Sequence, residues 1–106
     1  MSFLNRFHGS RDIRFILKKG SHAKSELVSV RKYKSNKARI AVIVSKKVHK
    51  HAVVRNKIRR RIVSIVNAVR NDQNSTDDMI FIVKSSEVAK MDFDELEKQI
   101  FYLINQ

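Results

Sequence analysis

The chain of 106 residues has no cysteine, no proline and no tryptophan, and only two glycines. Without cysteine there is no disulfide, no thiolate nucleophile and no cysteine-based metal site. Its apolar runs fall short of the ~18 residues that a membrane-spanning helix needs, and its first residues lack the apolar region of a signal peptide. We therefore expect a soluble, cytoplasmic protein with a single domain, residues 1–106, which is an ordinary domain length.

Acidic residues are missing from one long part of the chain. No Asp or Glu occurs between Glu26 and Asp72, whereas fourteen Lys and Arg do, eight of them between Ser45 and Arg61. Residues 72–106 instead hold eight acidic residues and three lysines. The net charge of +13 is thus localised. Such a block repels itself unless a polyanion is its usual neighbour, so it predicts nucleic-acid binding.

The N-terminal half contains signals for one helix and two strands. A helix capped by Ser10 and ended by Gly20 fits the apolar spacing of Ile13, Ile16 and Leu17. Two segments rich in β-branched residues then follow, separated by a polar tetrapeptide, and this pattern predicts a β-hairpin. The segments are Glu26 to Tyr33 and Ala38 to Ser45.

The C-terminal half predicts two further helices around a strand. A long helix from Val53 to Arg70 has one apolar stripe and one cationic face. The run Met79 to Val83 is apolar without alternation, as in a strand covered on both faces. Asp92 and Glu95 are spaced as a capping box, and a third apolar stripe follows: Phe93, Leu96, Ile100, Leu103 and Ile104. The order is α, β, β, α, β, α, with a short extra strand as an option near Lys47 to His51, which predicts an α+β fold.

The cationic face of the long helix is the candidate binding surface. If Ile58 points into the core, Asn56 and Arg60 point away from it, and Lys57 and Arg59 lie about a quarter-turn from it on either side. These four residues form a row of donors. Arg55 and Arg61 lie nearer the edges of the stripe, where their alkyl stems can cover apolar surface. Each pair of like charges four positions apart destabilises a helix by ~0.2 to 0.5 kcal/mol. Phosphate bound to this face would reverse that destabilisation.

Two other interpretations of this face are weaker. Protein surfaces ordinarily mix both signs of charge, so a merely solvated face does not explain the long gap in carboxylates. Helices that lie on anionic lipid favour Trp, Phe or Leu on the apolar side, whereas this stripe consists of Val and Ile between β segments.

A specific family resemblance rests on the segment ARIAVIVSKK (residues 38–47), a seven-residue spacer and then RNKIRR (residues 55–60). This arrangement resembles the protein subunit of bacterial ribonuclease P, in which a strand ends in a Ser/Ala-Lys-Lys element and an Arg-Asn-Arg motif opens a basic helix. The similarity extends from Arg6 to the final helix. It implies an αβββαβα sandwich with a mixed sheet and a basic crossover helix whose connection is left-handed.

The resemblance also implies a function. The chain would bind the catalytic RNA subunit and the 5′ leader of precursor tRNA, and would assist endonucleolytic removal of the leader. Catalysis would belong to the RNA subunit with Mg²⁺, with no catalytic residue, metal site or required protein partner on this chain. The RNA-binding candidates are Arg6, Arg11, Lys46, Lys47, Lys50, Arg55, Asn56, Lys57, Arg59 and Arg60. The leader-cleft candidates are Ile13, Phe15, Leu17 and Val30.

Three positions depart from the family pattern. Lys57 replaces an arginine, which keeps the charge but loses a planar, bidentate donor. Residues 48–50 replace a segment in which many members have glycine. Ile13 and Leu17 replace aromatic residues of the leader cleft, so base stacking is lost there.

Phe15 offers a substitute for the missing aromatic rings. It projects about 160° from Ile13 and from Leu17, among cationic residues. It either stacks on RNA or packs beneath the N-terminal segment with Phe3 or Phe7.

Two rival functions remain open: a structural RNA-binding protein of ribosomal type and a stand-alone nuclease. The nuclease is disfavoured because the carboxylates lie mainly in the C-terminal third without a compact acidic motif for two metal ions. His49 and His51 would share one side of an extended strand and could bind metal, but no Cys or carboxylate lies nearby to complete a site.

Overall fold

The computed structural model describes residues 5–7, 9–73 and 76–106. In these residues the helices are α1 (Arg11–Lys19), α2 (Ala52–Gln73) and α3 (Phe93–Ile104). The strands are β1 (Asn5–Arg6), β2 (Ser21–Lys24), β3 (Val28–Tyr33), β4 (Arg39–Ile43) and β5 (Asp78–Val83). A 3₁₀ turn, Ser86–Ala89, precedes α3. In this part of the chain, no helix combines the length and apolarity needed to cross a membrane.

The strands form one mixed sheet in the order β1-β4-β5-β3-β2. The strands β4 and β5 are parallel neighbours joined by α2, and β1 is parallel to β4. The strand β3 is antiparallel to both β5 and β2. The predicted α+β class with a basic crossover helix is therefore confirmed, while the handedness of the crossover stays a prediction.

The predicted hairpin between β3 and β4 is wrong, because β5 lies between these strands. The strand β5 takes the central place because its residues are apolar on both faces, with Phe81 opposite Val30 on one side and Val42 on the other. The true hairpin joins β2 to β3. Its first strand, SHAK, is short and largely exposed, so the apolar pattern did not mark it.

The extra strand proposed near Lys47 to His51 is also wrong. That segment turns, with the Val48 amide donating to the Ser45 carbonyl at 3.0 Å, and Val48 packs against the core. The third strand that the family pattern requires between the first two helices is β2 instead.

The core lies between one face of the sheet and the helices α2 and α3. The predicted stripes are confirmed: Ile58, Ile62 and Val66 of α2 are fully buried, as are Leu96 and Ile100 of α3. Phe93 departs from its stripe because it is the first residue of α3. It is 42% exposed and lies below the Arg61 guanidinium at 6.0 Å instead.

The helix α1 covers part of the opposite face of the sheet, and Ile16 is its buried residue. Gly20 ends this helix as predicted, but in an extended conformation with φ −69°. A side chain at Gly20 would place Cβ 2.7 Å from the Ile16 oxygen and 2.9 Å from the Lys32 oxygen. Glycine therefore serves here to bring the end of α1 close to β3.

The two predicted side-chain caps are absent. Neither Ser10 nor Asp92 forms a side-chain bond to its helix, although each immediately precedes one. Their backbone carbonyls accept the first helical bonds instead, from Arg14 at 2.9 Å and from Leu96 at 3.0 Å.

Candidate nucleic-acid interface

Exposed donors cluster around the start of α2. The segment between β4 and α2 brings three lysines beside the first two turns of the helix. We call the following exposed residues the cationic ridge: Lys46, Lys47, Lys50, Asn56, Lys57 and Arg60. The first turn of α2 has no acidic residue, so the positive end of the helix dipole adds to their field rather than offsetting it.

Arg55 and Arg59 hold the ridge in place rather than extending it. The Nη1 of Arg55 donates to the carbonyl oxygens of His49 and Lys50, each at 2.9 Å. The Nη1 of Arg59 donates to Asn56 Oδ1 at 2.7 Å, and its Nη2 lies 3.4 Å from the Val44 oxygen. Because these bonds join the loop to the helix, they fix where the lysines of the loop lie.

Arg61 is the third arginine of this helix whose guanidinium has acceptors within the fold. Its Nη1 donates to the Val88 oxygen at 2.6 Å and its Nη2 to the Met91 oxygen, which ties α2 to the segment before α3. The carbonyl oxygens that accept bonds from Arg55, Arg59 and Arg61 thus offset part of the like-charge repulsion that the sequence predicts for this helix. Lys57 and Arg60 stay exposed to solvent.

The two histidines of the loop contact each other. Their ring centroids are 5.3 Å apart, and the His51 amide donates to His49 Nδ1 at 3.1 Å. A neutral His49 ring therefore carries its proton on Nε2. The described residues contain no group of three or more His, Cys, Asp or Glu side chains that could hold a metal ion.

The candidates outside α2 have different fates. Arg11 is exposed on α1, and Ile13 and Leu17 are partly exposed. The side chain of Arg6 lies outside the described residues. The prediction for Val30 is wrong, because it is 0% exposed and packs in the core with Phe81. The period of two along a strand turns its neighbour Arg31, not Val30, toward the face of the sheet that carries α1.

A second cationic cluster on the α1 face was missed by the sequence analysis. It comprises His22, Lys24, Arg31 and Lys84. His22 pairs with Arg31 across β2 and β3. Desolvation, together with the charges of Arg31, Lys24 and Lys84, holds the pKa of His22 below its ordinary value. These residues are distant in sequence, and only the strand register shows that they are neighbours.

An ion network with a buried centre at Asp78 closes the end of the sheet where β4 and β5 begin. Asp78, 1% exposed, accepts bonds from the Arg39 amide at 2.9 Å and from its Nη2 at 2.7 Å. The Nη1 of Arg39 binds Asp12 at 2.7 Å. Burial alone would raise the pKa of Asp78, but the bonds from Arg39 outweigh it and lower that pKa. The bonds with Asp78 likewise raise the pKa of Arg39.

Comparisons with known proteins show the family and the fold of this chain. The family model for Ribonuclease P matches residues 1–106. The chain belongs to this family. It is 36% identical over 84 residues to the ribonuclease P protein components of Thermus thermophilus and Thermus aquaticus, covering 79% of this chain and 48% and 49% of those proteins. The chain thus spans about half the length of these curated relatives.

Solved structures show the same fold. The RNase P protein of Staphylococcus aureus is similar with a TM-score of 0.73 and 21% identity, over 97% of this chain and 94% of that one. The RNase P protein of Thermotoga maritima gives a TM-score of 0.72 and 21% identity, over 93% and 94% of the two chains. At this identity the likeness describes the fold alone, and it confirms the fold class expected from the resemblance.

Proposed function

We propose that this chain is the protein component of a ribonuclease P ribonucleoprotein. It binds the catalytic RNA subunit and the 5′ leader of precursor tRNA, and it assists the endonucleolytic removal of that leader. One observation carries this conclusion: the cationic ridge is exposed and free of acidic neighbours in sequence, and Arg55 and Arg59 hold it in place. Membership of the Ribonuclease P family supports the choice of RNA as the polyanion.

The contribution of this chain is positional and electrostatic. Lys46, Lys47, Lys57 and Arg60 bind phosphates of the RNA subunit, and Arg55 and Arg59 keep them in register. Hydrolysis belongs to the RNA subunit, which uses Mg²⁺. The described residues of this chain neither bind the metal nor act as general acid or base in this scheme.

The leader lies against the face of the sheet that carries α1. Ile13 and Leu17 are partly exposed on one flank of α1 and provide apolar contacts. Arg31, also partly exposed, supplies a cation on the same face of the sheet. Because these contacts are apolar or ionic, they bind single-stranded RNA without reading its sequence closely.

Reconstitution tests the proposal directly. The chain is mixed with a bacterial ribonuclease P RNA at low Mg²⁺, and precursor tRNA cleavage at the mature 5′ end is followed. We expect stimulation by the chain, and loss of stimulation in Lys57→Gln/Arg60→Gln. The matched control is Lys90→Gln/Lys98→Gln, which removes the same charge from exposed positions near and on α3.

The rival function is that of a structural RNA-binding protein of ribosomal type. Such a protein would bind the RNA through the same ridge but would leave leader cleavage unchanged. Binding without stimulation would therefore favour the rival, and cleavage by the chain after all RNA has been removed would favour a stand-alone nuclease.

A further inference from the structure

Two half-exposed aromatic rings meet beside α1. Phe15 of α1 and Tyr33 at the end of β3 pack edge to face with centroids 5.2 Å apart. They remain 47% and 38% exposed. The ring of Phe15 is thus open to solvent and has Tyr33 as its aromatic partner, while its stacking on RNA stays a prediction.

These rings line an open cavity of about 280 Å³. Besides these rings, the lining comprises residues of the β3–β4 loop, one residue of the α1 core contact and the ion network: Lys34, Ser35, Lys37, Ile16, Asp12, Arg39 and Asp78. Small-molecule sites begin at ~300 Å³, so this volume suits one planar ring system and little more.

The flank of α1 that carries Phe15 is cationic. At 100° per residue, the positions three and four residues away on this flank lie within about 60° of the Phe15 direction. Three of these four positions are exposed cations, Arg11, Lys18 and Lys19, and the fourth is Asp12. Arg39, which also binds Asp78, lies 2.7 Å from Asp12 and offsets part of its negative charge. The surface around the cavity thus attracts anions, while the cavity itself presents aromatic rings.

We propose that Phe15 and Tyr33 form a stacking site for one unpaired nucleotide of single-stranded RNA, with Lys34 and Lys37 facing its phosphates. Aromatic rings bind the face of any base, and lysines bind the backbone, so the two features together fit a nucleotide better than an apolar or a cationic ligand. The site lies on the flank of α1 opposite Ile13 and Leu17. It is therefore separate from the leader contacts proposed above, although the choice of RNA as ligand rests on that proposed function.

Short single-stranded RNAs with 2-aminopurine at one position test this site on the full chain. Stacking on Phe15 quenches the fluorescence of that base. We expect Phe15→Leu to remove the quenching and to weaken binding roughly tenfold, within the range of base–aromatic stacking. Phe15→Tyr retains an aromatic ring and restores both. The matched control is Phe101→Leu, because Phe101 is a 51% exposed aromatic residue on the acidic helix α3.

An abasic RNA turns this experiment into a double cycle. Removing the base at the quenched position should weaken binding to the unaltered chain but not to Phe15→Leu, since the same interaction is then already absent. Lys34→Gln, in an exposed loop, should lower the magnitude of the salt slope by about 0.7 without abolishing quenching. It tests the site independently if Phe15→Leu fails to fold.

Any of three results would overturn the stacking site. Phe15→Leu and Phe101→Leu would weaken RNA binding equally, or Phe15→Leu and removal of the base would weaken it additively. The third result is a salt slope that Lys34→Gln leaves unchanged. Failure of the chain to stimulate leader cleavage would instead reject the proposed function. Quenching that depends on Phe15 would then still establish the stacking site.

Discussion

Arg70 and Arg60 lie toward opposite ends of α2 and have opposite surroundings. Near the C-terminal end, Arg70 is 4% exposed and donates through Nη2 to the carbonyl oxygen of Asp77. Burial lowers the pKa of Arg70, and the nearby charge of Asp78 raises that pKa by a smaller amount. Near the N-terminal end, Lys57 and Arg60 are exposed, and the first turn has no acidic residue.

The helix dipole makes this difference informative. Cations stabilise the C-terminal end of a helix and destabilise its N-terminal end. Arg70, in the last turn, therefore lies where the helix dipole favours a cation, whereas the ridge lysines of the segment before α2 lie near the end of the helix where the dipole disfavours one. A surface that costs stability in the free protein is best explained by an anionic ligand that offsets the cost when bound.

The largest expected effect comes from breaking the buried network. Asp78→Asn leaves Arg39 and Arg70 without their nearest buried carboxylate, and we expect a loss of about 3 to 5 kcal/mol in unfolding free energy, measured by urea denaturation. The control is Glu95→Gln in an exposed pair 3.8 Å from Lys98, which should change it by less than about 0.5 kcal/mol. Similar losses in the two variants would mean that Asp78 has no special role.

Acid should remove the same contribution gradually. Because Arg39 holds the folded-state pKa of Asp78 below its ordinary value, Asp78 stabilises the fold above its unfolded-state pKa of about 4. That stability is lost as the pH falls through the folded-state pKa. The difference between the chain and Asp78→Asn in urea should therefore shrink below about pH 4. A difference that stays constant to pH 2 would contradict the ion pair.

Neutralising cations at the opposite end of α2 should weaken binding without lowering the stability of the free protein. Lys57→Gln/Arg60→Gln removes two phosphate contacts, so the slope of log affinity against log salt should fall in magnitude by about 1.5, and affinity for ribonuclease P RNA by roughly 20-fold at 0.15 M salt. Filter binding across a salt series measures both. The matched Lys90→Gln/Lys98→Gln variant should leave them unchanged; equal effects would indicate only a general response to net charge.

The smallest effect separates arginines that position the ridge from those that contact RNA. Arg55→Lys keeps the charge but loses the fork that binds two loop carbonyls, so we expect a loss of about 1 kcal/mol in unfolding free energy. Arg60→Lys, at an exposed position, should leave thermal denaturation unchanged. Equal melting temperatures for the two variants would remove the distinction.

Local features of the fold and the site could be predicted from the sequence. The stripe of Ile58, Ile62 and Val66 fixed the buried side of α2, because helical periodicity depends only on residues within a few turns. The gap in carboxylates likewise located the cationic ridge. Strand pairing could not be predicted in this way: β3 and β4 are close in sequence, yet each pairs with β5, whose partners are set by burial of both its faces.

The sequence by itself therefore determined the helices, the class of fold and the charge of the binding face. Only the tertiary structure decided which cations are exposed, since Arg55, Arg59 and Arg61 bind backbone or amide oxygens that no side-chain pattern reveals. It also decided that Phe15 meets Tyr33. Periodicity is a local property, whereas a hydrogen-bond partner or an aromatic neighbour depends on how distant segments pack.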